Sequence, residues 1–351
     1  MKAVTPLLLC LLTASAVSAA DARYVIDDPY AGVYQGTYQT LRSRGMAEAQ
    51  IRSLGNGSYD GLIVLKSTRE GEEQITAVTV ITPFQPDAER KAAIGAIHPN
   101  NLDKHRDQPD ARLTFPQFNL KGEITPGTIS GQFSGPWIRE EESTFSLSRV
   151  PAPASATLGA TPPPGAIVIF DGRDRGQWKE AKWPVKDGVL EVGPGNITTK
   201  QSLTNFLLHL EFRTPQMPAA LGQARGNSGV YLQSIFEVQV LDSFGLFPLA
   251  NNDCGGIYQV AAPDWKAVNA CLPPGEWQTY DITFRAGDER TARLPEITVV
   301  HNGKTVVDRA KVPANLMANG TGGGEVDGGF LMLQNHKDAV QYRNIWAQPI
   351  E

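Results

Sequence analysis

The sequence predicts an all-β protein, with a C-terminal jelly-roll sandwich and a smaller N-terminal antiparallel β domain, either a barrel or a sandwich. Apolar and polar residues alternate in many short segments, which is the period of a half-buried strand. The 351 residues include 34 Gly and 25 Pro, as expected for a fold rich in turns. Strand patterns do not alternate with helix patterns, so a parallel α/β sheet is not indicated.

The N-terminal part opens with a Tyr/Gly-rich strand around Val33, Gly36 and Tyr38. Residues 47–51 and 59–63 then alternate on either side of Gly-Asn-Gly-Ser at 55–58, and this pattern predicts a β-hairpin. Further strands are expected at 74–82, 112–120, 128–133 and 144–148.

The C-terminal part is expected to contain about a dozen strands joined by Gly, Asn and Pro turns, which favours a sandwich of the jelly-roll type. The clearest segments are 166–170, 188–192, 207–212, 226–232, 236–242, 279–285, 296–301, 331–336 and 342–346.

A change in composition divides the chain. Residues 151–165 read PAPASATLGATPPPG, a stretch of small residues and prolines that indicates a semi-stiff linker. We therefore expect a signal peptide at 1–20, the N-terminal domain at 21–150, the linker at 151–165 and the jelly-roll domain at 166–351.

The first twenty residues have the composition of a secretory signal peptide. Lys2 supplies a positive charge, residues 7–12 are apolar, and Val17-Ser18-Ala19-Ala20 provides a small-residue cleavage site. We expect an exported protein, periplasmic or extracellular, without a transmembrane segment.

The formal net charge is −5, and no basic patch with interleaved aromatic residues occurs. Nucleic acid is therefore not expected as a partner. The sequence leaves the oligomeric state open.

Two cysteines, Cys254 and Cys271, remain after removal of the signal peptide. In an oxidising compartment a disulfide between them is expected, and it would stabilise the fold by roughly 3 kcal/mol. The alternative is a pair of buried thiols, because sequence alone does not report their separation.

The strand at 236–242 places Glu237, Gln239 and Leu241 on one face. A retaining glycosidase needs two carboxylates about 5–5.5 Å apart, but the second position here is an amide. Asp242 falls on the opposite face. Ordinary two-carboxylate glycoside hydrolysis is therefore poorly supported.

His336 is the best single candidate for acid–base chemistry, because an imidazole titrates near neutral pH. The alternative for His336 is a surface position at a strand end. Arg343 could hold a carboxylate or sugar oxygens, or it could be a solvated edge residue.

Several polar residues are candidates for ligand binding. Glu237, Asp242 and His336 could together bind a divalent metal ion, with Glu237 and His336 as the principal ligands. No cofactor is otherwise implied.

Motifs in a fixed order along 166–350 resemble the 3-keto-disaccharide hydrolase family, whose members are concanavalin-like jelly rolls. These motifs are Ile169-Phe170-Asp171-Gly172, Gly226-Asn227-Ser228-Gly229-Val230, Glu237-Val238-Gln239-Val240-Leu241-Asp242-Ser243, Pro274-Gly275-Glu276-Trp277, Leu333-Gln334-Asn335-His336 and Tyr342-Arg343-Asn344-Ile345. Residues 214–225 form a Pro/Ala-rich insertion before Gly226.

The resemblance implies a sugar substrate that is already oxidised to a ketone at carbon 3. Such a ketone acidifies the proton on carbon 2, so that a base removes it, the aglycone leaves carbon 1, and water adds to the product. On this hypothesis His336 is the base, Arg343 or a metal stabilises the enolate, and Glu237 orients a metal or assists proton transfer. The residues that would hold sugar hydroxyls or the metal are Asn227, Tyr231, Gln239, Asp242 and Gln334.

Two other functions remain open on sequence grounds. A non-catalytic carbohydrate-binding protein would need only amides and stacking aromatic residues, and His336 would be dispensable for binding. The candidate stacking residues are Trp178, Trp183, Trp265 and Trp277. A cell-surface structural module is weakly supported by the two-domain layout.

Overall fold

The structure is a computed structural model, and it describes residues 21–25, 27–97, 118–135, 138–179, 181–313 and 329–351. The expected signal peptide lies outside the described residues. Among the described residues, no helix has the length and apolar character needed to cross a membrane.

The N-terminal part is a closed barrel of eight antiparallel strands, in which each strand pairs with the next and β8 pairs with β1. The strands are β1 (Gly32–Thr40), β2 (Arg44–Gly55), β3 (Ser58–Arg69), β4 (Glu72–Phe84), β5 (Ala92–Ile97), β6 (Asn119–Thr125), β7 (Thr128–Ser134) and β8 (Ser143–Val150).

The predicted hairpin at 55–58 is confirmed by the pairing of β2 with β3. Asn56 and Gly57, at the turn, have φ values of 51° and 72°. Because both central residues of a tight hairpin turn of this hand need positive φ, Asn-Gly is well suited to these two positions.

The C-terminal part is a sandwich of two sheets, so the all-β fold class is confirmed. Its strands are β9 (Ile167–Phe170), β10 (Trp178–Lys179), β11 (Val185–Lys186), β12 (Val189–Glu191), β13 (Ile197–Leu203), β14 (Phe206–Arg213), β15 (Ser228–Leu232), β16 (Phe236–Val240), β17 (Gln278–Arg285), β18 (Glu296–His301), β19 (Lys304–Lys311), β20 (Gly329–Leu333) and β21 (Gln341–Pro349).

One sheet of the sandwich has five strands in the order β10-β13-β20-β15-β16. The other has eight, in the order β11-β12-β21-β14-β17-β18-β19, with β9 paired to β21. The facing surfaces of the two sheets are apolar and form the core, to which Val230, Val238, Leu331, Phe212 and Tyr280 belong. Each strand therefore has an inner face in this core and an outer face free for polar residues.

The segment at 151–165 is ordered against the outer face of the eight-stranded sheet. Gly159 N donates to Glu211 Oε1 at 2.6 Å, Thr157 Oγ1 to Asp281 Oδ2 at 2.7 Å, and Asn344 Nδ2 to Ala160 O at 2.9 Å. The expected linker at 151–165 thus connects the barrel to the sandwich, and hydrogen bonds fix it on the surface of the sandwich. The domain limits stay predictions, although the barrel ends at Val150 and the sandwich begins at Ile167.

The two cysteines are free thiols, so the expected disulfide between Cys254 and Cys271 is not present. Both side chains are buried in the sandwich, and Cys254 Sγ lies 3.1 Å from Tyr280 Oη, with which it shares a hydrogen bond. The alternative of two buried thiols is the arrangement found.

A buried ion pair lies where the barrel meets the sandwich. Arg225 Nε donates to Asp242 Oδ2 at 2.6 Å, and both side chains are almost fully buried. Arg225 Nη1 also donates to the barrel carbonyl Ser53 O at 3.0 Å and to Pro218 O at 3.0 Å. One guanidinium thus holds the strand end after β16, the 214–225 segment and the barrel together.

We predict that Arg225→Met lowers the free energy of unfolding by about 3–5 kcal/mol, because the Asp242 carboxylate is left buried without a counter-charge. Urea unfolding measures this change. The control is Arg290→Met, which removes the exposed partner of Asp288 and should leave the midpoint unchanged. Equal stability of the two variants would contradict the prediction.

Candidate functional site

The outer face of the five-stranded sheet presents polar groups. Directly opposed residues of antiparallel strands share a face, and Tyr231 is opposite both Glu237 on β16 and Met332 on β20. Gly229 is opposite Gln239 in the same row. The pattern expected from the sequence, with Glu237 and Gln239 on one face and valines on the other, is what the register shows.

Glu237 is the central group of this face, and only 3% of the residue is exposed. Burial raises the pKa of its carboxyl group to about 7, although the hydrogen bond with Tyr231 works in the opposite direction. A carboxyl group in this range exchanges a proton near neutral pH, which is a property of catalytic acids and bases.

Gly229 makes the position of Glu237 possible. A β-carbon at residue 229 would lie 2.2 Å from Glu237 Oε1 and 3.0 Å from Tyr231 Cε2, so a larger residue would displace the carboxyl group. Gly229, the second glycine of the Gly226-Asn227-Ser228-Gly229-Val230 motif, therefore leaves room for the carboxyl group, a role that the sequence did not reveal.

Tyr231 links Glu237 to the end of β20. Gln334 Nε2 donates to Tyr231 Oη at 3.0 Å, which leaves the phenol proton for the Glu237 carboxylate. Burial, followed by the charge of Glu237, raises the pKa of Tyr231 well above its ordinary value. Tyr231 is therefore a neutral donor throughout the physiological range.

Three buried amide oxygens around this face have no hydrogen-bond partner in the described part of the chain: Asn227 Oδ1, Gln239 Oε1 and Gln334 Oε1. Buried acceptors without partners are uncommon in folded proteins. Hydroxyl groups of a bound sugar are donors that would satisfy them.

Gln223 orients two of these amides. Its Oε1 accepts from Asn227 Nδ2 at 3.0 Å and from Gln239 Nε2 at 3.1 Å, so that both amide oxygens are fixed in direction. Gln223 lies in the 214–225 insertion. Sequence reasoning missed it because a single glutamine in a Pro/Ala-rich segment gives no signal.

His336 is exposed and lies in the loop between β20 and β21. The loop is tied to the site on both sides of His336, because Gln334 contacts Tyr231 and Asp338 Oδ2 accepts from Asn227 N at 2.7 Å. Within the described residues His336 forms no hydrogen bond, so its imidazole is available to a ligand at this edge of the sheet.

Arg343 does not lie with Glu237, and this corrects the expectation that it stabilises an enolate there. Its Nε donates to Glu211 Oε2 at 2.6 Å, and its guanidinium stacks 4.0 Å from the Trp277 ring centroid. Because β21 and β14 belong to the eight-stranded sheet, Arg343 points away from the core on the opposite side of the sandwich.

Asp242 is also unsuited to its expected role as a sugar or metal ligand, because its carboxylate is paired with Arg225 at 2.6 Å. Its other oxygen accepts from Phe244 N at 3.3 Å.

The expected metal site at Glu237 and His336 has no support from the donor geometry. In the described part of the chain, the three-residue group of His, Cys, Asp or Glu that is close enough to share an ion consists of Cys254, Cys271 and His301. Glu237 instead has Tyr231 as its partner.

A carboxyl, a phenol and unsatisfied amides together on one sheet face are converging polar groups of the kind found at ligand-binding sites. The model of the 3-keto-alpha-glucoside-1,2-lyase-like domain family matches residues 165–348, just over half of the chain. The protein belongs to this family and is a carbohydrate-active enzyme, which confirms the resemblance noted in the sequence.

Two crystal structures of candidate glycosyl hydrolases from Parabacteroides distasonis ATCC 8503 are similar to the chain. The first is 32% identical in sequence, and the matched region covers 58% of this chain and 93% of the chain in that structure, with a TM-score of 0.48. The other is 20% identical, covers 53% and 94%, and has a TM-score of 0.39. No curated protein matches the sequence.

We predict that Gly229→Ala displaces the Glu237 carboxyl group, because the added methyl group would overlap with Oε1. A displacement of about 1 Å at a reacting group costs up to about 10²-fold in kcat/KM. Steady-state kinetics on the family's substrate class measures the loss. The matched control is Gly95→Ala on β5, where the nearest atom to an added β-carbon is 3.8 Å away, and it should retain activity. Full activity of the Gly229 variant would contradict the steric argument.

The raised pKa of Glu237 also predicts a pH-dependent stability. The folded-state pKa of about 7 exceeds the ordinary 4.5, so stability falls as the pH rises through this range, by about 3 kcal/mol in total. Urea unfolding at pH 4 and pH 8 should show that Glu237→Gln gains stability over wild type at pH 8 only. An identical pH dependence in both proteins would contradict the burial argument.

Proposed function

We propose that this protein is exported and cleaves 3-keto-glycosides by removal of the proton on carbon 2, elimination of the aglycone from carbon 1 and subsequent hydration. The family assignment supports the substrate class. The signal-like sequence at 1–20 supports export, which N-terminal sequencing of the secreted protein would test.

The observation that carries this proposal is the buried carboxyl group of Glu237, whose pKa is raised to about 7. Abstraction of a proton next to a ketone needs one base whose pKa lies near the working pH. Glu237 meets that requirement, and its position on the polar face brings it beside the three unsatisfied amide oxygens. We therefore assign the base to Glu237 instead of His336.

Ordinary glycoside hydrolysis needs a second carboxyl group beside the first, and the other carboxylate described at this face, Asp338, accepts a hydrogen bond from Asn227 N at 2.7 Å. The next outward position of β16 is Gln239, and Asp242 is held by Arg225. The residues therefore fit a one-base elimination better than the two-carboxylate reaction.

The roles of the residues follow from their contacts. Glu237 takes the proton of carbon 2 as the bond from carbon 1 to the aglycone oxygen breaks and a double bond forms between carbons 1 and 2. Tyr231 donates to the Glu237 carboxylate and holds its orientation. Exposed His336 supplies a proton to the departing oxygen, and the amide oxygens of Asn227, Gln239 and Gln334 accept from sugar hydroxyls.

We predict that Glu237→Gln abolishes product release from 3-keto-trehalose and 3-keto-β-glucosides, with a loss of at least about 10²-fold in kcat. His336→Ala should lower kcat less for substrates with a good leaving group. In the wild type, kcat/KM should rise with pH through about 7, because the carboxylate is the reactive form.

The matched control is Glu296→Gln, on β18 of the other sheet, which should retain full activity. Arg343→Lys keeps the charge opposite Glu211 and should also retain activity. Loss of cleavage in Arg343→Lys, or full activity of Glu237→Gln, would overturn the assignment.

The carbohydrate-binding alternative is weakened by the positions of two aromatic residues. Trp178 and Trp183 lie in the sandwich core, so neither is available to stack on a sugar ring, whereas Trp265 and Trp277 are partly exposed. Saturable binding of the same 3-keto sugars without cleavage by the wild type would favour this alternative over the enzyme.

A further inference from the structure

A cluster of two thiols and an imidazole lies inside the sandwich, away from the sugar face. Cys254, Cys271 and His301 are each at most 2% exposed, and their donor atoms all lie within 4.8 Å of one another. Both cysteines come from the long connection between β16 and β17, and His301 ends β18. Neither the proposed reaction nor the Glu237 site uses any of them.

The hydrogen bonds of Gln278 fix the tautomer of His301. Gln278 Oε1 accepts from Leu272 N at 2.9 Å, which identifies that atom as oxygen, because a backbone N–H can only donate. His301 Nε2, 2.9 Å from the same oxygen, must then carry the proton. Nδ1 is left with a free lone pair.

His301 Nδ1 is buried and has no partner in the described part of the chain. It faces the backbone beside Cys254, since a β-carbon on Gly255 would lie 3.6 Å from it. A buried nitrogen without a partner, on an imidazole that has a ring nitrogen within 4.8 Å of both thiol sulfurs, points to a missing ligand.

The backbone holds all three groups in place. Cys254 N donates to Ser243 Oγ at 3.1 Å, and Cys271 N donates to Asn269 Oδ1 at 2.8 Å. Asn302, next to His301, donates through Nδ2 to Ala270 O at 2.9 Å. Such outer contacts, together with an imidazole whose other nitrogen is hydrogen-bonded, are typical of metal sites.

We propose that Cys254 Sγ, Cys271 Sγ and His301 Nδ1 bind a zinc ion. Thiolate sulfur and imidazole nitrogen are the ligands that zinc prefers, and sets of two Cys and one His bind zinc in other enzymes with a non-protein group in the fourth position. Binding releases the two thiol protons to solvent. Two thiolates and one Zn²⁺ sum to zero charge, which suits a fully buried site.

The ion would support strand β16 from the core side of the sheet. Gly255 N donates to Gln239 O at 3.1 Å, Gln239 N donates to Gly256 O at 2.9 Å, and Tyr280 Oη donates to Gln239 O at 2.6 Å. The cysteine-bearing loop is thus bonded to the backbone of the strand that carries Glu237 and Gln239. Zinc would therefore stabilise the loop and the register of this strand without contact with the sugar.

The test is elemental analysis of residues 21–351, which contain two of the three cysteines. The protein is purified through a tag without histidine and without chelators, and both zinc and copper are measured. We expect about one zinc per chain and two free thiols after denaturation in chelator. Cys271→Ser and His301→Asn should lower zinc content at least about 10-fold. The control is Val299→Ala, a buried substitution on the same strand, which should keep its zinc.

A second measurement does not depend on the folding of the variants. A strong chelator should lower the Tm of the wild type and of Val299→Ala, and added zinc should restore it. A mass lower by two hydrogens, which would show a disulfide, overturns the proposal. Copper in place of zinc, or two free thiols that take up no zinc on titration, overturns it equally.

Discussion

The two-faced character of the five-stranded sheet is the constraint on which the site depends. Val238 and Val240 must face the core, and because side chains alternate along a strand, Glu237 and Gln239 must face outward. The pairing with β15 then sets Tyr231 opposite Glu237. A shift of β16 by one residue would turn the Glu237 carboxyl group into the apolar core. The burial of Val238 and Val240 therefore fixes the face on which Glu237 lies.

The same packing explains why Glu237 is reactive. Among the described residues, its neighbours supply one hydrogen bond from Tyr231 and no positive charge to offset the loss of water, so burial dominates and raises the pKa of Glu237. The unsatisfied oxygens of Asn227, Gln239 and Gln334 impose a similar cost. The hydroxyl groups of a bound sugar could donate hydrogen bonds both to the Glu237 carboxylate and to these amide oxygens. The buried groups that cost stability in the free protein would therefore favour substrate binding.

On the eight-stranded sheet, buried histidine and carboxylate side chains stabilise the fold and take no part in the proposed reaction. His209, Glu211 and Asp281 lie on its outer face, where His209 Nδ1 is 2.7 Å from Asp281 Oδ1 and Arg343 is bonded to Glu211. These groups are covered by the segment at 151–165, which donates to Glu211 and Asp281. Their charges are mutually satisfied, and they hold the connection between barrel and sandwich.

The sequence by itself determined the fold class, the hairpin at 55–58, the family and the outward alignment of Glu237 with Gln239. All of these depend on local periodicity, turn residues or motif order. Only the tertiary structure decided that Arg343 lies on the other sheet, that Asp242 is paired with Arg225 and that the cysteines are free. Those outcomes depend on which strands become neighbours, and residues far apart in sequence, such as Gln223 and Gln239 or Cys254 and His301, acquire their roles only when the sheets pack.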